Sequence, residues 1–260
     1  MGRRLRIVAL LALTCVSSVS AQYATSGWGK REAPEANSQV TFVRLRWRSG
    51  TVGAPVRTGE VGGANHWLHE FPRAEQNLMT ILKELTLVDA NVEGSLILNF
   101  DDPKLFNYPI AMLWEPGFWR MTDEQAARLR EYFLKGGFVI FNDFELDQWN
   151  NFEAQMRRVL PDARPMKLDP SHPIFDSFFQ IENPQFKHPP NHHLYGFIPN
   201  YFGIFENNDP TRRLMAVVNY NTNLAEFWQM VDSGFFFFPS ESWSDAFRLG
   251  VNYMLYGLTH

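Results

Sequence analysis

The stretch TDEQAARLREYFLKGGFVIFND, residues 122–143, decides the fold. Its first four residues form a capping box. Thr122 accepts a hydrogen bond from the Gln125 amide, and the Gln125 side chain reaches back to the Thr122 amide. Ala126, Leu129 and Phe133 then fall on one face at helical spacing. Gly136-Gly137 stops the helix, because glycine takes the left-handed conformation without steric cost. Phe138-Val-Ile-Phe141 follows as a continuous apolar run, the pattern of a strand buried on both faces. Asn142-Asp143 opens a loop, and a second helix is expected around Trp149 to Leu160.

Working outward, the same alternation recurs. Val40 to Leu45 is rich in β-branched residues and reads as a strand. Residues 49–64 are dense in glycine and mark a long loop. Pro72 to Val88 carries Leu78, Ile81, Leu82 and Leu85 at helical spacing. Leu96-Ile-Leu98 and Ala111-Met-Leu-Trp114 are short apolar runs that fit buried parallel strands. Leu214 to Val218 reads as one more core strand. Trp243, Phe247, Val251, Met254 and Leu258 define a closing helix. Strands alternating with helices imply an α/β, three-layer sandwich around a mainly parallel sheet.

The amino-terminal residues predict an address. Arg3, Arg4 and Arg6 precede an apolar run from Ile7 to Val16, and Val19-Ser20-Ala21 offers small residues for cleavage. This is the pattern of a secretory signal peptide, too short to span a bilayer. The expected organisation is a signal at 1–21, a flexible polar leader at 22–38 and one α/β domain at 39–260. The expected location is periplasmic or secreted. Cys15 is the single cysteine of the chain and lies in that signal. The mature domain is then expected to have no disulfide and no thiolate nucleophile.

The whole chain carries a formal charge of −4, and loss of the three arginines makes it more acidic. A mildly acidic domain argues against nucleic acid as a partner, since phosphate contacts need clustered Lys and Arg. No later segment is apolar for long enough to span a membrane. The expected partner is a small polar ligand or another envelope protein.

In open parallel sheets, ligands sit beyond the carboxyl ends of the strands. Those ends carry acids here. Asp101 and Asp102 follow the Leu96 strand, Glu115 follows the Ala111 strand, and Asp143 and Glu145 follow the Phe138 strand. If they converge, they could hold a divalent cation or share a proton. The plainer alternative is capping, since Asp after a strand often starts the next helix or an Asx-turn. Asp143, Asp102, Glu115 and His172 are the candidate site residues. His172, His188, His192 and His193 lack zinc-protease spacing and read first as turn or solvated histidines. There is no nucleophile elbow, P-loop or dinucleotide fingerprint, so no cofactor is expected from the motifs. Phe235 to Phe238 is either a doubly buried strand or a docking patch.

Several of these stretches together resemble domain-of-unknown-function family 4159. Leu129-Arg-Glu-Tyr-Phe-Leu-Lys-Gly-Gly-Phe-Val-Ile-Phe-Asn-Asp143 is similar to its LRxYxxxGGFxxxDD signature. Phe71-Pro-Arg-Ala-Glu-Gln-Asn77, Asp102-Pro-Lys-Leu-Phe-Asn-Tyr-Pro109, Glu115-Pro-Gly117 and His172-Pro-Ile-Phe175 add to the likeness. Tyr195-Gly196, Asn219-Tyr-Asn221 and Leu249-Gly-Val-Asn-Tyr253 extend it to the carboxyl end. The resemblance implies a flavodoxin-like fold like that of the class I glutamine amidotransferases. It does not imply their chemistry, which needs a cysteine at a strand-to-helix elbow where this chain has Asn142-Asp143. Asn142 also replaces the first acid of the usual pair. Two functions follow as expectations: a non-catalytic binding module of the cell envelope, or a carboxylate-based hydrolase, metal-assisted or not, acting on a carbohydrate or ester.

Overall fold

The computed structural model describes residues 39–49, 66–182, 198–231 and 240–260. Nine strands are formed there: β1 (Val43–Arg46), β2 (Arg48–Ser49), β3 (Leu96–Asn99), β4 (Ile110–Trp114), β5 (Trp119–Arg120), β6 (Phe138–Asn142), β7 (Met166–Lys167), β8 (Asn200–Phe205) and β9 (Leu214–Tyr220). The helices are α1 (Arg73–Leu85), α2 (Asp123–Leu134), α3 (Gln148–Val159), α4 (Leu224–Met230) and α5 (Ser240–Thr259). Seven strands make one sheet in the order β3-β1-β4-β6-β9-β8-β7, and β2 pairs with β5 separately. The five strands β3, β1, β4, β6 and β9 run parallel. Strands β8 and β7 close one edge in antiparallel fashion.

Counted in chain order, the five parallel strands lie 2-1-3-4-5, the flavodoxin-like order. This confirms the α/β sandwich. It also fixes a topological switch point between β1 and β4, where the chain leaves β1 toward one side and returns to the other.

The layers follow from side-chain alternation. Ile110, Met112 and Trp114 of β4 enter the core beneath α1, α4 and α5, together with Phe138 and Ile140 of β6. Ala111, Leu113, Val139 and Phe141 enter the opposite core with Leu129, Phe133, Phe152 and Val159 of α2 and α3. A strand apolar at every position is what burial on both faces demands.

The capping box of α2 is formed as read, with both Thr122–Gln125 hydrogen bonds present. Gly136 takes φ 103° just past the helix end, a conformation that glycine adopts freely. Other boundaries differ by a few residues. The first strand begins at Val43 rather than Val40, which makes only an isolated bridge to Ala90. The antiparallel pair β7 and β8 adds to the strands expected from the sequence. Residues 50–65, His188, His192, His193 and Phe235 to Phe238 lie outside the described residues. Among the described residues, no helix is long and apolar enough to cross a membrane.

Candidate functional site

The site lies at the carboxyl edge of the sheet, around the switch point. Three segments build it. The connection from β1 to α1 contributes a short 3-10 turn, His66–Leu68, followed by His69 and Glu70. Glu115 follows β4, and Asp143 follows β6. Strands β4 and β6 are neighbours, so their first residues past the sheet are held side by side. The Glu115 amide still donates to the Asn142 carbonyl at 3.0 Å, and the Asp143 amide donates to the Thr222 carbonyl at 3.2 Å. The turn after Glu115 is pressed onto α3, where a Cβ on Gly117 would collide with the Gln148 side chain.

Backbone conformation marks the same places. Glu70, Glu115 and Asp143 have φ of 57°, 45° and 66°. Non-glycine residues seldom adopt this region, at a cost of about 1–3 kcal/mol each, and such residues gather at functional sites.

The side chains converge. His66 Nδ1 and His69 Nδ1 meet the two different oxygens of the buried Glu115 carboxylate. His69 Nδ1 also lies 3.9 Å from Asp143 Oδ2. The His66 ring lies nearly parallel to Trp47 and Phe118, with centroids 6.1 and 4.5 Å away. Glu70 Oε1 accepts from Asn223 Nδ2 at 3.0 Å, whereas Glu70 Oε2 is buried without a hydrogen-bond partner. Asn223 is itself held by Asn142, whose amide donates to Asn223 Oδ1 at 2.9 Å and accepts from the Leu224 amide at 3.0 Å.

The electrostatics follow from these contacts. Asp143 and then Glu115 stabilise the imidazolium of His69 against the opposing effect of burial, raising it to about 10. Burial, reinforced by the Asp143 charge, raises Glu70 to about 8. Burial alone would raise Glu115, but hydrogen bonds from His66 and His69 outweigh it and hold this carboxyl below its ordinary value. At neutral pH the cluster therefore contains an ionised Glu115, a neutral Glu70 and a protonated His69.

The family model described as Domain of unknown function (DUF4159) matches residues 54–258. The chain belongs to this family. No curated protein matches it. Every residue of the cluster lies inside the DUF4159 match, as do the strand ends and the turn that position them.

Ligand chemistry can be judged from the donors. One donor atom each from His66, His69 and Glu115 lie within 4.8 Å of one another, and the same holds for His69, Glu70 and Asp143. A tetrahedral ion with bonds of about 2.0–2.1 Å spaces its donors roughly 3.3 Å apart, which small side-chain rotations here would reach. Imidazole nitrogen with carboxylate oxygen suits first-row divalent ions such as zinc. Three protein ligands leave positions open on the ion.

Of the acids expected from the DUF4159 sequence, Glu115 and Asp143 are brought together through His69. Asp102 is not part of this arrangement. It follows β3, which β1 separates from β4, and its carboxylate accepts from the Lys104 amide at 2.9 Å to start a 3-10 turn. The capping alternative holds there. His172 likewise caps a turn, accepting from the Ile174 amide at 3.2 Å, and its ring packs edge-on against Phe205. Burial lowers its basicity. Sequence reasoning missed His66, His69 and Glu70. Their signal is a histidine pair spaced by three, since residues three apart eclipse in a 3-10 turn.

Proposed function

We propose that this DUF4159 domain is an exported binding module whose small polar ligand is a divalent metal ion. His66, His69 and Glu115 are its ligands, at the carboxyl edge of the sheet. The observation that carries this reading is the mutual approach of two imidazole nitrogens and a carboxylate within 4.8 Å. Their placement at the β1/β4 switch point, where doubly wound folds bind ligands, supports it independently. Export is supported by Arg3, Arg4 and Arg6 before the apolar run ending at Val16. Amino-terminal sequencing of the secreted protein should then begin at Gln22.

The test is titration of the chelator-treated protein with Zn²⁺ and Mn²⁺, followed by calorimetry. The expected result is one ion per chain for wild type, and at least a 100-fold loss of affinity in His66→Ala and Glu115→Ala. Failure of wild type to bind either ion at micromolar concentration would rule the reading out.

A second reading keeps the ion and adds hydrolysis of a carbohydrate or ester. It is favoured by the carboxyl groups of Asp143 and Glu70, whose oxygens lie within 4.8 Å of a His69 ring nitrogen and would adjoin an ion held there. Asp143→Asn should then keep the ion and lose turnover of an aryl ester or glycoside. Equal turnover in both proteins would leave binding as the function.

A further inference from the structure

Arg44 is an unusual residue for the middle of a sheet. It lies on β1 between Val43 and Leu45 and is fully buried. Its neighbours Val43 and Leu45 enter the α2/α3 core, so the arginine projects to the other face, toward α1. Withdrawing a guanidinium from water is costly unless partners compensate.

Its partners include the histidine turn and the end of β4, two of the three segments that build the candidate site. Nε pairs with the buried Glu75 of α1. Nη1 donates to the carbonyl oxygens of Trp67 at 2.7 Å and of His69 at 2.9 Å. The guanidinium carbon lies over the Trp114 ring, 3.4 Å from its centroid. Trp67 and His69 belong to the turn that presents the two imidazoles. Trp114 is the last residue of β4 and immediately precedes Glu115. One guanidinium thus reaches both halves of the cluster, the histidine turn through two carbonyls and the carboxylate-bearing strand end through its place over the Trp114 ring.

We propose that Arg44 is the positioning residue that sets the spacing between His66, His69 and Glu115, and so tunes the affinity and geometry of the ion. The inference rests on the cation reading of that cluster. Lysine cannot replace it, because an ammonium is a point charge with neither a fork of donors nor a stacking plane. Groups that orient metal ligands in this way change affinity by about 10–100-fold when removed.

The experiment uses Co²⁺ as the probe, because its visible absorption reports ligand geometry. Two variants are compared with wild type. Arg44→Lys keeps a charge opposite Glu75. The double variant Arg44→Met, Glu75→Met removes the buried pair without leaving a lone charge, a replacement that buried ion pairs often tolerate. Leu129→Ala, in the core beneath α2, supplies a control that lowers stability away from the site. The expected result is a 10–100-fold weaker Co²⁺ affinity and a shifted absorption spectrum in both Arg44 variants, with cooperative unfolding retained. Leu129→Ala should keep the wild-type affinity and spectrum. Unchanged affinity and spectrum in either folded Arg44 variant overturns the proposal. So does an equal loss in Leu129→Ala, which would make the effect one of stability alone. Absence of Co²⁺ binding by wild type removes the cation reading first and this inference with it.

Discussion

Ion binding should displace a proton, and His69 supplies the magnitude. In the ion-free protein, Asp143 and Glu115 raise this imidazole to about 10. At pH 7.5 it is then roughly 99% protonated or more. A nitrogen that carries a proton offers no lone pair, so a cation must expel it. Glu115, held below its ordinary value, brings no proton of its own. The expected release is therefore about one proton from His69 per ion bound. Apparent affinity should rise about tenfold per pH unit, or about 100-fold between pH 6.5 and 8.5. The assay is calorimetric titration with Zn²⁺ in two buffers of different ionisation enthalpy at several pH values. The difference in heat gives the proton count, and the series gives the slope. Binding whose affinity is flat over this interval, with heat independent of buffer, would refute the assignment of a protonated His69 as a ligand.

Three further outcomes are expected. In the ion-free protein, Glu70 and His69 both bind protons more tightly folded than unfolded, so their contribution is complete below about 4.5 and 6.5 and fades as pH rises through about 8 and 10. Melting temperature should fall across that span, and Glu70→Gln should flatten the slope between pH 5 and 8; an unchanged slope would contradict the raised Glu70. Asn142→Ala strands the buried Leu224 amide and removes the donor to Asn223, so a loss of about 2–4 kcal/mol is expected in urea unfolding. Thr122→Ala removes the α2 cap and should cost about 1 kcal/mol, lowering the melting temperature by roughly 2–4 °C without altering ion binding.

The legible parts of the fold were those with strong local rules. The Thr122–Gln125 box, the Gly136 stop and the apolar runs of β4 and β6 each state their structure within a few residues. Short strands such as β7, two residues long, owe their form to pairing with β8 and leave no such pattern. At the site, Glu115 and Asp143 were legible because acids directly past parallel strands share an edge. Asp102 obeyed the same local rule yet went elsewhere, because strand order sets its distance, and strand order is not a local property. The same applies to Asn142. Its departure from the paired-acid signature could be read, but its buried bond to Asn223, 81 residues away, could not.

The sequence by itself determined the class of the protein: α/β, strands buried on both faces, acids at their carboxyl ends, and membership of DUF4159. Those features depend on periodicity and on turn chemistry, which act over a few residues. Only the tertiary structure decided that His66, His69 and Glu70 cross to meet Glu115 and Asp143. That meeting depends on the order of the strands, and beside it sits Arg44, a buried charge whose hydrogen-bond partners lie 23 to 31 residues further along the chain. Hydrophobic pattern places a side chain on a face, but long-range packing selects which polar groups share it.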